Sequence, residues 1–337
     1  MLINGNPSEH YVYGSQNGNR IAANGVASAQ IAYDSQDRLR QYGDYTYTYT
    51  NNGELRTKTH TPTSQVKTYT YDARGNLLSV ATTGGTTISY VIDGMNRRVA
   101  KKRNDGTSTT VVAQWLYRDG LKPVAELDGS GNLVSTFVYA SNQNTPDLMV
   151  RGGKTYRILT DHVGSPLLVV NVANASDVPF RATYTAFGEA TITGTADFLP
   201  FGFAGGLFDI ETGLVRFGAR DYDPVVGRWT AKDPIRFDGG QANLYVYVGD
   251  DPVNKVDIFG RSSLGSCLFD QAAAAYECAL CAIERDGSSC FFCTYFVHAS
   301  NENCPPLPPR PPAPTACGAE GAGPTGADDG AGATGGY

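Results

Sequence analysis

One short unit recurs along residues 1–160, and it limits what the chain can fold into more than any other feature. Tyr33-Asp34-Ser35-Gln36-Asp37-Arg38-Leu39 is matched by Tyr71-Asp72-Ala73-Arg74-Gly75-Asn76-Leu77. Looser copies are Tyr49-Thr50-Asn51-Asn52-Gly53-Glu54-Leu55 and Tyr90-Val91-Ile92-Asp93-Gly94-Met95-Asn96-Arg97. Two more start near Tyr117 and Val124, the latter running into Asp128-Gly129-Ser130-Gly131-Asn132-Leu133. Successive copies lie around 16 to 27 residues apart, a period that means a stack of supersecondary units. Alternation such as Tyr45-Thr46-Tyr47-Thr48-Tyr49 predicts a strand with tyrosines on one face and threonines on the other. The Asp-x-x-Gly-Asn step then predicts a turn, since Asn, Asp and Gly tolerate the dihedrals a turn needs, and the closing Leu starts the return strand. A lone hairpin cannot bury its own face, so neighbouring units must stack. The chain to residue 260 is therefore expected to be all-β.

Composition agrees. The chain has 20 Tyr, 14 Phe, 2 Trp and 39 Gly, the mixture of many short strands joined by tight turns. Its 27 basic and 33 acidic residues are too evenly balanced for nucleic acid to be the main partner. No stretch approaches the run of about 18 apolar residues that a membrane helix needs. The start, Met1-Leu2-Ile3-Asn4-Gly5-Asn6-Pro7, has neither a basic n-region nor an apolar h-region. Either export uses no cleaved signal or the chain is a fragment of a longer one; the early start of the repeats favours a fragment. All seven cysteines lie between Cys267 and Cys317. From Arg261 onward there are eight Asp/Glu against three Arg, most of the formal net charge of −6. Two physically different segments are joined near residue 260.

Downstream of the repeats, linked blocks follow in order. Thr160-Asp161-His162-Val163-Gly164-Ser165-Pro166-Leu167 precedes Tyr184-Thr185-Ala186-Phe187-Gly188-Glu189. Next come Gly213-Leu214-Val215-Arg216-Phe217-Gly218-Ala219-Arg220-Asp221-Tyr222-Asp223-Pro224 and Gly227-Arg228-Trp229-Thr230-Ala231-Lys232-Asp233-Pro234-Ile235. The stretch ends with Asn243-Leu244-Tyr245-Val246-Tyr247-Val248-Gly249-Asp250-Asp251-Pro252-Val253-Asn254. The repeats resemble the tyrosine–aspartate (YD) repeats of the bacterial Rhs family, which includes the third component of insecticidal toxin complexes and, more distantly, the teneurins. The later blocks resemble the Rhs repeat-associated core. The resemblance implies YD repeats over 1–154, forming part of a spiral shell, and a compact core over 155–260. Beyond them come a cysteine-rich variable segment over 261–304 and a disordered Pro- and Gly/Ala-rich tail over 305–337. Residues 1–160 supply too few units to close a shell.

In the toxin-complex relatives this core is an intramolecular aspartic protease. It closes one end of the shell and cuts the chain just after itself, leaving the released piece inside. Matched motif by motif, the resemblance puts the catalytic pair on Asp221 of Arg-Asp-Tyr-Asp-Pro and Asp233 of Lys-Asp-Pro, with Arg220 as the accompanying arginine. Such chemistry needs two carboxylates that share one proton, so that one activates water and the other protonates the carbonyl oxygen or leaving amine. An arginine would hold the ionised partner or polarise the scissile carbonyl. The twelve-residue spacing, with Gly227 between, suits two neighbouring strands joined by a turn. Asp221, Asp223 and Asp233 also read as ordinary turn residues, the reading preferred for Asp223. His162 reads as a structural residue of a turn. The family's cleavage signal, Asp-Pro-x-Gly-Leu, aligns with Asp257-Ile258-Phe259-Gly260-Arg261, with Pro and Leu both replaced. The cleavage region is thus Gly260, Arg261 and Ser262, with the scissile bond after Arg261.

In the tail, Leu268 to Ile283 reads as a helix, Asp286-Gly287-Ser288-Ser289 as a turn and Cys290 to His298 as a second apolar element. Cys278-x-x-Cys281 and Cys290-x-x-Cys293 flank the turn symmetrically. Three states stay open: a disulfide hairpin pairing Cys278 with Cys293 and Cys281 with Cys290, a four-cysteine zinc site, and free thiols. Apart from that zinc, no cofactor is implied. The tail has one His, no Lys and no motif with a reaction attached. The function implied is encapsulation and presentation of a C-terminal effector in bacterial competition, at a secreted or cell-surface location. Its partners would be the rest of a YD shell, a delivery machinery and a cognate immunity protein. The competing class is a structural cell-surface or wall-associated YD-repeat protein carrying no toxin.

Overall fold

The computed structural model describes residues 2–3, 6–7, 9–15, 17–142 and 144–261. Ser262, Cys278, Cys281, Cys290, Cys293 and the remainder of the tail lie outside the described residues. The rest is mostly β, as the repeat pattern requires. Sixteen antiparallel strands, from Ile31–Tyr33 to Ala190–Gly194, pair strictly in chain order, each hydrogen-bonded to the one before it. The sheet runs on past residue 154 through Lys154–Thr160, Pro166–Asn171 and Phe180–Tyr184, so strand pairing itself shows no break there. A separate four-stranded sheet, Leu207–Asp209, Leu214–Phe217, Arg220–Asp223 and Arg228–Trp229, follows. The helical turns among the described residues are short 3-10 segments such as Phe203–Gly205 and Arg236–Gly239.

The repeat turns share one hydrogen-bonding device. At Asp34, Asp72, Asp93, Asp128 and Asp161, Oδ1 accepts the backbone N–H groups two and four residues on, at 2.7–3.2 Å. The residue three positions on takes a positive φ: Asp37, Gly75, Asn96, Gly131 and Gly164. This is why the turn is written with Asp first and Gly, Asn or Asp fourth. Thr50 and Thr185 stand in for Asp with a hydroxyl. The tyrosines act as struts: the hydroxyls of Tyr33, Tyr117 and Tyr139 donate to the carbonyls of Arg20, Arg98 and Pro123 at 2.9–3.0 Å. Along Tyr45–Tyr49 the expected alternation holds, with Tyr47 buried and Thr46 and Thr48 exposed.

One face of the long sheet carries the four-stranded unit. Tyr47, Tyr69, Leu77, Ile88 and Tyr90 form a buried cluster that takes in Leu214 and Val226 of the core segment. Phe137, Met149, Ile158, Val169 and Phe180 bury Leu199, Phe201 and Leu207. Between these, Phe217, Tyr222, Trp229 and Tyr247 make an aromatic centre, with Tyr222 and Tyr247 rings 4.7 Å apart. Charges complete the join. Lys58 pairs with Asp223 at 2.9 Å, Lys101 with Asp209 at 2.6 Å and Glu211 at 2.7 Å, and Arg103 with Glu211 at 2.8 Å. Asp223 also accepts the Val225 amide, so it serves the turn as well as the join. His162 is exposed and bonds the Val253 carbonyl, a structural tie.

Candidate functional site

Arg220 and Asp221 are consecutive on the Arg220–Asp223 strand, so their side chains leave opposite faces. That local rule divides the site in two.

On one face, Asp221 looks toward the long sheet. Its Oδ1 accepts from Arg98 Nη2 at 2.7 Å and its Oδ2 from Arg216 Nη1 at 2.9 Å. Arg216 is directly opposite Asp221 in strand register, which explains its approach. Arg98 comes from the repeat strand Arg98–Asn104. All three side chains are 1–2% exposed. Arg216 Nη2 also donates to Asn76 Oδ1 at 2.6 Å, and Asn76 Nδ2 donates to Asp72 Oδ2 at 2.9 Å. The core carboxylate is thereby wired to a repeat turn.

On the other face, Arg220 lies 4.0 Å over the Trp229 ring and gathers the segment that leaves the core. Its Nε donates to the Gly260 carbonyl at 2.6 Å. Its Nη2 reaches Asp233 Oδ2 at 2.8 Å and Asp257 Oδ2 at 3.1 Å. Asp257 Oδ1 accepts the Arg261 amide at 3.0 Å. One guanidinium thus bridges two carboxylates and grips the chain beside Arg261. Burial raises the Asp233 pKa above the ordinary aspartate range, with Arg220 opposing. Burial lowers the Arg220 guanidinium, with Asp257 and Asp233 opposing. Asp233 stands past the end of the Arg228–Trp229 strand, where its amide meets the Leu244 carbonyl and its Oδ1 accepts the Ile235 amide. Arg220 and Asp233 also line an open groove of about 860 Å³, walled by the repeat-turn residues Asn52, Glu54 and Arg74 and by Lys232.

The structure therefore brings Arg220, Asp233, Gly260 and Arg261 together. Asp221 stands on the opposite face, and among the described residues no hydrogen bond joins it to Asp233. The replaced proline at Ile258 does not abolish the bend, because the Gly260 amide donates to the Asp257 carbonyl and Gly260 takes φ +62°. A side chain at Gly260 would overlap the Phe217 carbonyl oxygen, and one at Gly218 the Phe259 carbonyl oxygen. Sequence reasoning missed Asp257, Arg98 and Arg216. Asp257 carried a signal, as the first residue of the aligned cleavage motif; the two arginines carried none. Among the described residues no group of three or more His, Cys, Asp or Glu is arranged to hold a metal ion, and no helix is long and apolar enough to cross a membrane.

A family model described as the teneurin YD-shell matches residues 1–253. Teneurin-3 of Mus musculus is 32% identical over 254 residues, which is 71% of this chain and 9% of the mouse protein. The double-stranded DNA deaminase toxin A of Burkholderia cenocepacia is 30% identical over 258 residues, 68% of this chain and 18% of that protein. Among solved structures, the Photorhabdus luminescens Tc holotoxin pore aligns with a TM-score of 0.44 at 17% identity, covering 75% of this chain and 16% of that one. The chain spans a small part of each relative's length. It belongs to the teneurin YD-shell family.

Proposed function

We propose that this chain is the terminal stretch of a secreted or cell-surface YD shell that encloses and presents a variable C-terminal effector, and that its core cuts the chain after Arg261. The observation that carries this reading is the Arg220 clamp. One buried guanidinium holds Asp233, Asp257 and the Gly260 carbonyl together, two residues from the bond to be cut. Cutting adds water across the Arg261–Ser262 peptide bond. The water oxygen bonds to the Arg261 carbonyl carbon, one proton passes to a carboxylate, and another is delivered to the Ser262 nitrogen as the bond breaks. Asp233, with its raised pKa, is suited to donate, and Arg220 fixes the segment under attack; the resemblance names Asp221 as the second carboxylate, a role that requires its side chain to leave Arg98 and Arg216 and turn to the Asp233 face.

The test is to express the full chain and seek, by intact mass, a fragment of about 76 residues corresponding to 262–337. Cleavage in the wild type, stopped by Asp221→Asn and by Asp233→Asn singly, is the expected result. Cleavage that survives both substitutions removes the assignment. Growth arrest on cytoplasmic expression of residues 262–337 is expected of an effector; harmless expression favours a structural shell protein.

A further inference from the structure

We propose that the open groove beside Arg220 is the docking site of the chain's own next segment, residues 262–277, which Arg74, Lys232, Arg236 and the exposed ring of Phe237 hold against the wall. The docking does not depend on whether the chain is cut after Arg261.

The path of the chain leads into the groove. Arg261 lines a cavity together with Asn96, Gly218 and Ala219, and Asn96 and Ala219 also line the groove. The groove walls are tied to each other across the join. The Tyr245 hydroxyl donates to the Gly53 carbonyl at 2.8 Å, and the Leu55 amide donates to the Thr230 carbonyl at 2.7 Å. Lys232 lies so close over this repeat turn that a Cβ at Gly53 would overlap its Cε. A glycine thus lets the lysine stem rest along the wall.

The charge of the groove is unbalanced. Of its four cations, Arg220 is committed to Asp233 and Asp257. Among the described residues, no carboxylate lies within ion-pair distance of Arg74, Lys232 or Arg236; Arg74 Nη1 has the Gly94 carbonyl at 3.5 Å. Besides Asp233, the lining carboxylate is Glu54, which accepts from the Thr50 hydroxyl. Three cations therefore face one carboxylate. The sequence after Arg261 is their complement. From Ser262 onward eight Asp/Glu stand against Arg285 and Arg310, and Asp270 and Glu277 come before either arginine. Asp270 is nine residues from Arg261, a reach of at most about 30 Å. Between them lie Leu264, Leu268 and Phe269, apolar partners for Phe237, which is 68% exposed on the turn Arg236–Gly239. Opposite charge steers and orients such a contact. Tethering then favours this occupant over any free partner, because a short linker gives an effective concentration in the millimolar range.

The experiment uses the full chain with Phe237 replaced by the photo-crosslinker p-benzoylphenylalanine. Dilute protein is irradiated and digested, and mass spectrometry maps the adducts. Adducts to residues 262–277 of the same chain are expected, in at least fivefold excess over those formed by the same probe at Val172, which is 63% exposed and does not line the groove. Arg74→Glu combined with Lys232→Glu is expected to lower that yield at least threefold, as is salt near 1 M, where charges are screened beyond about 3 Å. Adducts confined to the groove walls, a crosslinked second copy, or a yield no higher than at Val172 overturns the inference. A yield unmoved by both the charge reversals and salt overturns it too. If the Phe237 probe prevents folding by circular dichroism, the probe at Arg74 with Lys232→Glu decides by the same criteria. Intact mass before irradiation shows separately whether the chain has cut itself. In a cut chain the same adduct joins the two fragments, so the cleavage reading and the docking stand or fall independently.

Discussion

Substituting Gly260 by Ala isolates how tightly the departing segment is held. Gly260 has φ +62°, a conformation that costs an L side chain about 1 kcal/mol. Its added Cβ would overlap the Phe217 carbonyl oxygen and lie 2.9 Å from the Arg220 amide nitrogen, both backbone atoms that cannot rotate away. The segment must therefore lift. Lifting breaks the 2.6 Å bond from Arg220 Nε to the Gly260 carbonyl and the 2.9 Å bond from the Ala219 amide to the Phe259 carbonyl. The first is charge-assisted, worth roughly 1.5–3 kcal/mol, and the second about 1 kcal/mol. The expected loss is on the order of 4 kcal/mol. Gly43→Ala is the matched control, with φ +57° and no atom within 4 Å of the added carbon. It carries the same unfolded-state effect and the same dihedral cost, and should lose about 1 kcal/mol. Urea unfolding of the two variants measures the difference. A Gly260→Ala variant within about 0.5 kcal/mol of Gly43→Ala would refute the clamp as drawn, since the close approach would then cost nothing beyond the shared dihedral term.

Other outcomes follow from the turns and the buried acids. Asp72→Ala removes the acceptor for two backbone amides and for the Asn76 side chain that aims Arg216, and should cost on the order of 2 kcal/mol in urea unfolding. Asp128→Ala removes the same turn bonds at an exposed site and should cost clearly less; equal losses would show that the link to the core adds nothing. Acid should weaken the fold. Burial raises the pKa of Asp34, Asp72, Asp93 and Asp147, but the hydrogen bonds they accept outweigh it, so all four end lowered, Asp147 to about 2. A lowered folded pKa gives stability that is present above the unfolded value near 3.9 and is lost as pH falls through the folded value, so the urea midpoint should drop between about pH 4 and pH 2. Asp250 has the opposite sign. Burial pushes it up to about 6, with Arg228 and Arg20 opposing, so its contribution is present below the unfolded value and lost as pH rises through 6. Asp250→Asn should then raise the midpoint at pH 8 and leave it nearly unchanged at pH 3.5; an equal gain at both would point to a dihedral effect at this positive-φ residue instead.

How much of this was legible in the sequence depends on range. The turns were, because an Asp that accepts the amides two and four residues on is a local device, and the Tyr45–Tyr49 alternation shows its buried face without reference to the rest of the chain. The sheet's extension to Gly194 was harder to see. Asp161 to Ser165 makes the same turn as Asp72 to Asn76, but Thr160 precedes it where Tyr33 and Tyr71 precede Asp34 and Asp72, so the Tyr-Asp signal is missing. The site was legible only in outline. Arg220, Asp233 and the segment near Gly260 do meet, whereas the division of Arg220 and Asp221 between two faces follows from strand pleating once the strand's bounds are known. The Arg98–Asp221 pair spans 123 residues, and nothing local in Arg97-Arg98 tells which arginine turns inward. Strand register decides it: Arg98 is buried toward the core, while Arg97 stays at the turn and bonds Asp93.

That same register makes the long sheet and the four-stranded unit depend on each other. The strand Arg98–Asn104 directs Arg98 and Lys101 inward, at 2% and 9% exposure, toward a face where their counter-charges belong entirely to the core segment: Asp221, Asp209 and Glu211. Without the core, this strand would present paired cations and an uncovered Tyr90 on a face built to be dry. Without the strand, Asp209 and Asp221 would each lose a partner at nearly full burial, and removing one member of a buried pair costs roughly 3–5 kcal/mol. Leu214 and Val226 add to the dependence, because they are buried in the cluster formed by Tyr47, Tyr69 and Leu77 rather than among core residues. Neither part has a complete interior alone. Residues 31–127 and 199–261 should therefore unfold in one transition, seen together by near-ultraviolet signals from Trp115 on the repeats and Trp229 in the core. Two separated transitions would mean that the ion pairs across the join are too weak to couple them.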